Sequence, residues 1–174
     1  MTAMDRDALR ALQGPLKERY REDPAAALVT LSATGTLDDD LACKVQTGRA
    51  LAKAGLHPAT GGDGSLLCSG DMLLEALVAC AGVTLSAVAT ALEIDVQAAT
   101  IRAEGDLDFR GTLGVDRAAP VGFADIRLRF DVDAPSAGDE QLATLLKLTE
   151  RYCVVLQTLS AAPPVTATLA RAGD

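Results

Sequence analysis

Cys68-Ser69-Gly70-Asp71-Met72-Leu73-Leu74-Glu75-Ala76-Leu77-Val78-Ala79-Cys80-Ala81-Gly82-Val83-Thr84 opens an apolar run that continues to Leu92 with Glu75 as its single charge after Asp71. Helical spacing puts Leu73, Ala76, Leu77, Cys80, Thr84 and Ala87 on one face. Ser69 or Asp71 stands where an N-cap belongs. Residues 72–92 are long enough to span a bilayer. Ten of them, however, are Ala, Gly, Ser or Thr, which insert weakly compared with Leu and Ile. The flanking Asp71, Glu93 and Asp95 offer no Lys or Arg anchor. The pattern predicts a core helix of a soluble protein, with no membrane partner. A helix apolar on all sides needs more cover than one sheet provides, which predicts a second subunit beside it.

Upstream, residues 4–22 set Leu9, Leu12, Leu16 and Tyr20 against Arg10, Lys17, Glu18 and Arg19 at helical spacing, with Gly14-Pro15 as an interruption and Pro24 as the stop. From 25 to 37 the period changes to two; Asp38-Asp39-Asp40 turns the chain, and 41–47 reads as the returning strand of a hairpin. Residues 53–70, rich in glycine, read as a loop. Downstream of Asp95, 96–109 and 121–132 are strand-like, 139–159 returns to helical spacing, and 165–169 follows Pro163-Pro164 as a final short strand. Strand pairs joined by hairpins and separated by helices predict an α+β fold, a mainly antiparallel sheet packed with two long helices.

A chain of 174 residues supports one domain with an arm, and at that size roughly 70% of the unfolded surface can be buried without a metal or disulfide staple. Hydrophobic residues make up 49% and charged residues 23%, which excludes intrinsic disorder. Aromatics are 3% and Trp is absent, so the core is built from Ala, Leu and Val. The net charge of −8 provides no basic stripe for a duplex and disfavours an anionic membrane surface. The expectation is no nucleic-acid partner. The only histidine is His57, and Cys43, Cys68, Cys80 and Cys153 contain no C-x-x-C pair, so neither a zinc site nor any other metal or cofactor is expected. The first seven residues lack the apolar run of a signal peptide. A cytoplasmic location is the expectation, where thiols are kept reduced.

Cys80 falls mid-length on the predicted central helix, and Cys153 falls similarly on the second, with Leu142, Leu146, Thr149 and Leu156 on its face. By spacing alone each reads as a small core hydrophobe or as half of a functional pair. The stretch from Cys68 to Thr84 resembles the signature helix of the OsmC/organic hydroperoxide resistance family, S/N-P-x-E-L-L-x-A-A-x-x-x-C. Cys153-Val154-Val155-Leu156-Gln157-Thr158-Leu159 is similar to that family's C-P-V-x-x-x-L element. The order of elements agrees as well, so the resemblance covers roughly residues 25–171.

That resemblance implies an intertwined homodimer, with residues 1–24 as a helical arm and 25–174 as the OsmC-like domain. It implies a thiol-dependent peroxidase of the oxidative stress response that reduces organic hydroperoxides to alcohols. Cys80 would be the peroxidatic thiol, and Cys153 would resolve its sulfenic acid as a disulfide that an external dithiol then reduces. Apart from the resemblance, His57 in the loop before the signature helix reads as a general base, as part of a substrate mouth or as a plain loop histidine, and Leu77 and Thr84 are the other expected substrate contacts.

The chemistry requires a thiolate, and burial among Leu and Ala opposes one. In the hydroperoxide-resistance branch a hairpin arginine, paired with a glutamate at the helix start, meets this need. Here the hairpin tip is Gly35-Thr36-Leu37-Asp38-Asp39, and the nearest substitute is Arg49, which reads either as the thiolate partner or as a solvated strand-end residue. Asp71 reads either as the acidic partner or as an N-cap. Gly70 or Ser69 stands at the first motif proline and Val154 at the second. These departures favour an alternative, an OsmC-like dimer that binds a small molecule without peroxidase turnover. Gly61-Gly62-Asp63-Gly64-Ser65 lacks the Gly-Lys-Ser/Thr ending of a phosphate loop and reads as a lid-like loop. Cys43 and Cys68 carry no expected role.

Overall fold

A computed structural model describes residues 5–22, 34–38, 42–47, 50–114 and 116–171. The chain runs α1 (Arg6–Glu22), β1 (Thr34–Asp38), β2 (Ala42–Thr47), β3 (Ala50–Gly55), β4 (Leu67–Cys68), α2 (Ser69–Leu92), β5 (Ala98–Leu107), α3 (Phe109–Thr112), β6 (Phe123–Asp133), α4 (Asp139–Tyr152) and α5 (Val154–Ser160). The α+β reading holds. The strands form two sheets rather than one: β1-β2-β3-β4 in that order, and β5-β6. The first three strands are antiparallel neighbours, whereas β4 joins β3 in parallel.

The β5-β6 ladder positions the central helix. Its antiparallel register sets Ile101 opposite Phe130 and Ala103 opposite Leu128, and these four side chains pack on the buried stripe of α2. The alternate residues face outward. There Arg102 lies directly opposite Arg129, a repulsive cross-strand pair, and Arg129 Nε donates to Asp131 at 2.8 Å. Arg127 donates to Asp106 at 2.9 Å and to Asp125 at 2.8 Å. That face is solvated, so the core lies entirely on the helix side of the sheet.

α2 buries Leu77, Ala81, Leu85, Val88 and Ala89. Toward its C-terminal half, Leu85, Val88 and Ala89 join Ile94, Ala134 and Leu145 of α4; toward its middle, Leu77 and Ala81 surround Cys153. Away from that stripe the helix is open within the chain, with Val83 at 74% exposure. The helix ends at Glu93, a non-glycine residue at φ 57°, and the N–H of Ile94 returns to the Ala89 carbonyl at 3.0 Å, closing the final turn. Arg6 of α1 pairs with Glu93, fastening the arm to this end.

Several expectations need correction. Gly14-Pro15 does not divide α1, which is continuous through Pro15. Residues 53–55, expected to belong to the 53–70 loop, are instead the end of a strand that runs from Ala50 to Gly55. The N-cap of α2 is Cys68, not Ser69 or Asp71. The second long helix is broken at Cys153 into α4 and α5. Residues 165–169 form no strand and are exposed, Val165 at 88% and Leu169 at 100%.

Candidate functional site

Cys80 comes from the middle of α2, and Cys153 occupies the break between α4 and α5. The fold packs these two thiols, distant in sequence, against one another in a single cluster. Both are free. Cys153 is fully buried, with Leu77 and Ala81 against it. Cys80 is half-buried and is therefore the sulfur a solute can reach.

The break does the local work. At φ −72° and ψ 105°, Cys153 is extended, so it ends one helix and begins the next. Its N–H closes α4 on the Thr149 carbonyl at 2.9 Å, and its carbonyl accepts the Gln157 N–H at 2.9 Å. In an unbroken helix, Val154 N–H would donate to the Glu150 carbonyl and Val155 N–H to that of Arg151. The break leaves both as first-turn donors without a helical acceptor, and both lie near enough to Cys80 to lower its thiol.

Desolvation is the largest single influence on the Cys80 thiol and pushes it up. The Val155 N–H, the Cys153 thiol, the Val154 N–H and the Thr84 hydroxyl together outweigh it and hold Cys80 below the ordinary thiol value. Cys153 goes the other way. Desolvation raises it, and its contact with Cys80 raises it further against the opposing N–H groups of Leu156 and Val155. Cys80 is thus the more acidic of the two, and Cys153 is the one that keeps its proton. The thiolate is the nucleophilic form. The arrangement supports nucleophilic attack by Cys80 followed by disulfide formation with Cys153. Among the described residues, the groups that hold Cys80 down are all neutral.

The other expected site residues are distributed differently. Arg49 lies outside the described residues. Asp71 sits in the first turn of α2, about 14 Å along the axis from Cys80 at 1.5 Å per residue. It lines a separate cavity of about 320 Å³ with His57, Cys68, Leu74, Phe109 and Phe123. His57 stacks on Phe109 with ring centroids 4.9 Å apart, and its Nδ1 accepts the Ala59 N–H at 3.0 Å. The structure therefore brings neither Asp71 nor His57 to the thiol pair; each belongs to the far end of the helix. Leu77, at 0% exposure, is core beneath the thiols and not a surface that a substrate meets. Thr84 is beside Cys80, but its hydroxyl donates to the Cys80 carbonyl at 2.8 Å and bears on the thiol itself. Sequence reasoning passed over the N–H groups of Val154 and Val155. The signal was Val154 itself, because a proline at that position has no N–H to offer.

The family model for OsmC-like proteins matches residues 62–168. No curated protein sequence matches the chain. Among solved structures, the chain is similar to an OsmC-like protein from Mycoplasma pneumoniae, with 18% identity and a TM-score of 0.64 over 77% of this chain and 89% of that one. It is similar to an organic hydroperoxide resistance protein from Elizabethkingia anophelis, with 16% identity and a TM-score of 0.60 over 78% and 91%. A third similar structure is an organic hydroperoxide resistance protein OsmC from Legionella pneumophila, with 15% identity and a TM-score of 0.59 over 77% and 91%. At these identities the structural likeness speaks for the fold.

Proposed function

The chain belongs to the OsmC-like protein family, and from that premise we propose that it is a thiol-dependent peroxidase for organic hydroperoxides. The observation that carries the reading is the Cys80–Cys153 contact, in which the accessible sulfur is the more acidic one. The Cys80 thiolate attacks the distal oxygen of the hydroperoxide. The O–O bond breaks, the departing alkoxide takes a proton and leaves as the alcohol, and Cys80 becomes a sulfenic acid. The Cys153 sulfur then attacks the Cys80 sulfur, forming the disulfide and releasing water. An external dithiol restores both thiols by exchange, a step suited to a cytoplasmic setting. The exposed Val154, adjacent to Cys153 in the chain, supplies an apolar edge that favours alkyl over hydrogen peroxide.

The open face of α2 and the exposed 162–171 segment, which carries Val165 and Leu169, support an intertwined homodimer as the working form. Burial of these surfaces against a second copy would remove a large apolar area from water.

Turnover of cumene hydroperoxide with a dithiol reductant tests the function. Cys80→Ser is expected to abolish it, and activity retained in that variant overturns the assignment. The second reading, a binding dimer without turnover, is favoured by one feature, the absence of a cation among the described groups that act on Cys80. A wild-type Cys80 that titrates at the ordinary thiol value of about 8.5 selects it.

A further inference from the structure

Glu150 presents a problem in hydrogen-bond accounting that Gln157 solves. The break at Cys153 takes the Val154 N–H out of the helical ladder, so the Glu150 carbonyl loses its natural donor, and an unmet carbonyl at a helix end draws back the nearest N–H. The Gln157 Nε2 amide donates to that carbonyl at 2.9 Å, reaching back seven residues across the break. The same residue's backbone N–H donates to the Cys153 carbonyl at 2.9 Å. Gln157 therefore grips both sides of the interruption, its main chain on Cys153 and its side chain on the last turn of α4. A carbonyl can only accept, so the amide nitrogen is the atom facing it.

We propose that Gln157 is a positioning residue for the thiol pair: by occupying the Glu150 carbonyl, it holds the α4–α5 break open and keeps the Val154 and Val155 N–H groups turned toward Cys80. Gln157 touches neither sulfur and acts only through the backbone it holds. Without it, the Glu150 carbonyl competes with the sulfur for the Val154 N–H, and relaxation toward a continuous helix takes that donor from Cys80. The inference deepens the peroxidase reading by naming what maintains its nucleophile, yet its test does not require turnover.

The test compares wild type with Gln157→Met, which keeps the length and removes the donor, and with Gln157→Lys, which restores a donor of similar reach. Iodoacetamide modification of Cys80 is followed across pH by mass spectrometry of its peptide, alongside thermal unfolding. In Gln157→Met, alkylation on the acid side of the profile is expected to be about tenfold slower, the worth of one hydrogen bond to a charged sulfur. Gln157→Lys should recover most of it. In the wild type the amide proton shifts of Val154 and Val155 should follow the Cys80 titration, and in Gln157→Met the Val154 response should be lost. A Gln157→Met profile that overlays the wild type overturns the proposal, even if the variant unfolds at lower temperature. An altered profile in a protein that does not consume hydroperoxide leaves the positioning role standing and overturns the peroxidase reading instead.

Discussion

Replacing Val154 by proline tests the origin of thiolate stabilisation with little collateral damage. Val154 is the first residue of α5, a position where proline is well accepted because its missing N–H has no helical acceptor. The preceding Cys153 already holds φ −72° and ψ 105°, the extended geometry that proline imposes on its predecessor. Val154→Pro therefore removes one donor from Cys80 and leaves the backbone path in place. A hydrogen bond to a charged acceptor contributes about 1.5–3 kcal/mol. Val155, Cys153 and Thr84 still face the sulfur, so the lower end applies, roughly a tenfold change in the proton equilibrium. Because Cys80 lies below the ordinary thiol value in the folded protein, its thiolate is present above that lowered midpoint and is lost as pH falls through it. The variant should be slowed about tenfold on the acid side of its alkylation profile and match the wild type above the ordinary thiol range. Peptide-resolved alkylation with iodoacetamide measures both limbs. If the Val154→Pro profile superimposes on the wild type, the N–H groups of the break do not stabilise the thiolate.

Three other outcomes follow from the packing. Cys153→Ser should leave the sulfenic acid on Cys80 unresolved, so dimedone adds to Cys80 after one equivalent of hydroperoxide; rapid loss of the sulfenic acid in this variant would assign resolution to another thiol. Thr84→Val keeps shape but loses the hydroxyl, and since Thr84 is the weakest of the groups lowering Cys80, it should slow acid-side alkylation less than Val154→Pro does. A larger effect in the same assay reverses that order. Leu145→Ala removes a side chain at 1% exposure from the cluster of Leu85, Val88, Ala89 and Ile94, and urea denaturation should show a loss of about 2–5 kcal/mol. A loss well under 1 kcal/mol would mean that α4 does not pack on α2 as described.

The central helix and the two thiols were legible because their signals are local. An apolar run with one charge declares α2, and a shared position on two buried stripes marks Cys80 and Cys153 as candidates. The break at Cys153 was not legible, because Arg151-Tyr152-Cys153-Val154-Val155 contains neither Gly nor Pro and its apolar spacing continues without a phase change. Its compensation comes from contacts that no periodicity encodes: Gln157 to Glu150, and two freed N–H groups near a sulfur on another helix. β3, Ala50-Leu51-Ala52-Lys53-Ala54-Gly55, was missed for the opposite reason. Its alanines and leucine favour helix, and only pairing with β2 along a five-residue register overrides them. His57 was grouped with Cys80 through its place in the loop before the helix, and Asp71 through the motif's acidic position. The length of α2 separates them from it in space.

Neutral peptide donors also set how the site responds to its surroundings. A guanidinium beside a thiolate acts over a range that dissolved ions can screen, with a Debye length near 10 Å at about 0.1 M salt. The N–H groups of Val154 and Val155 act at short range and carry no formal charge. A nucleophile so held keeps its reactivity as ionic strength rises.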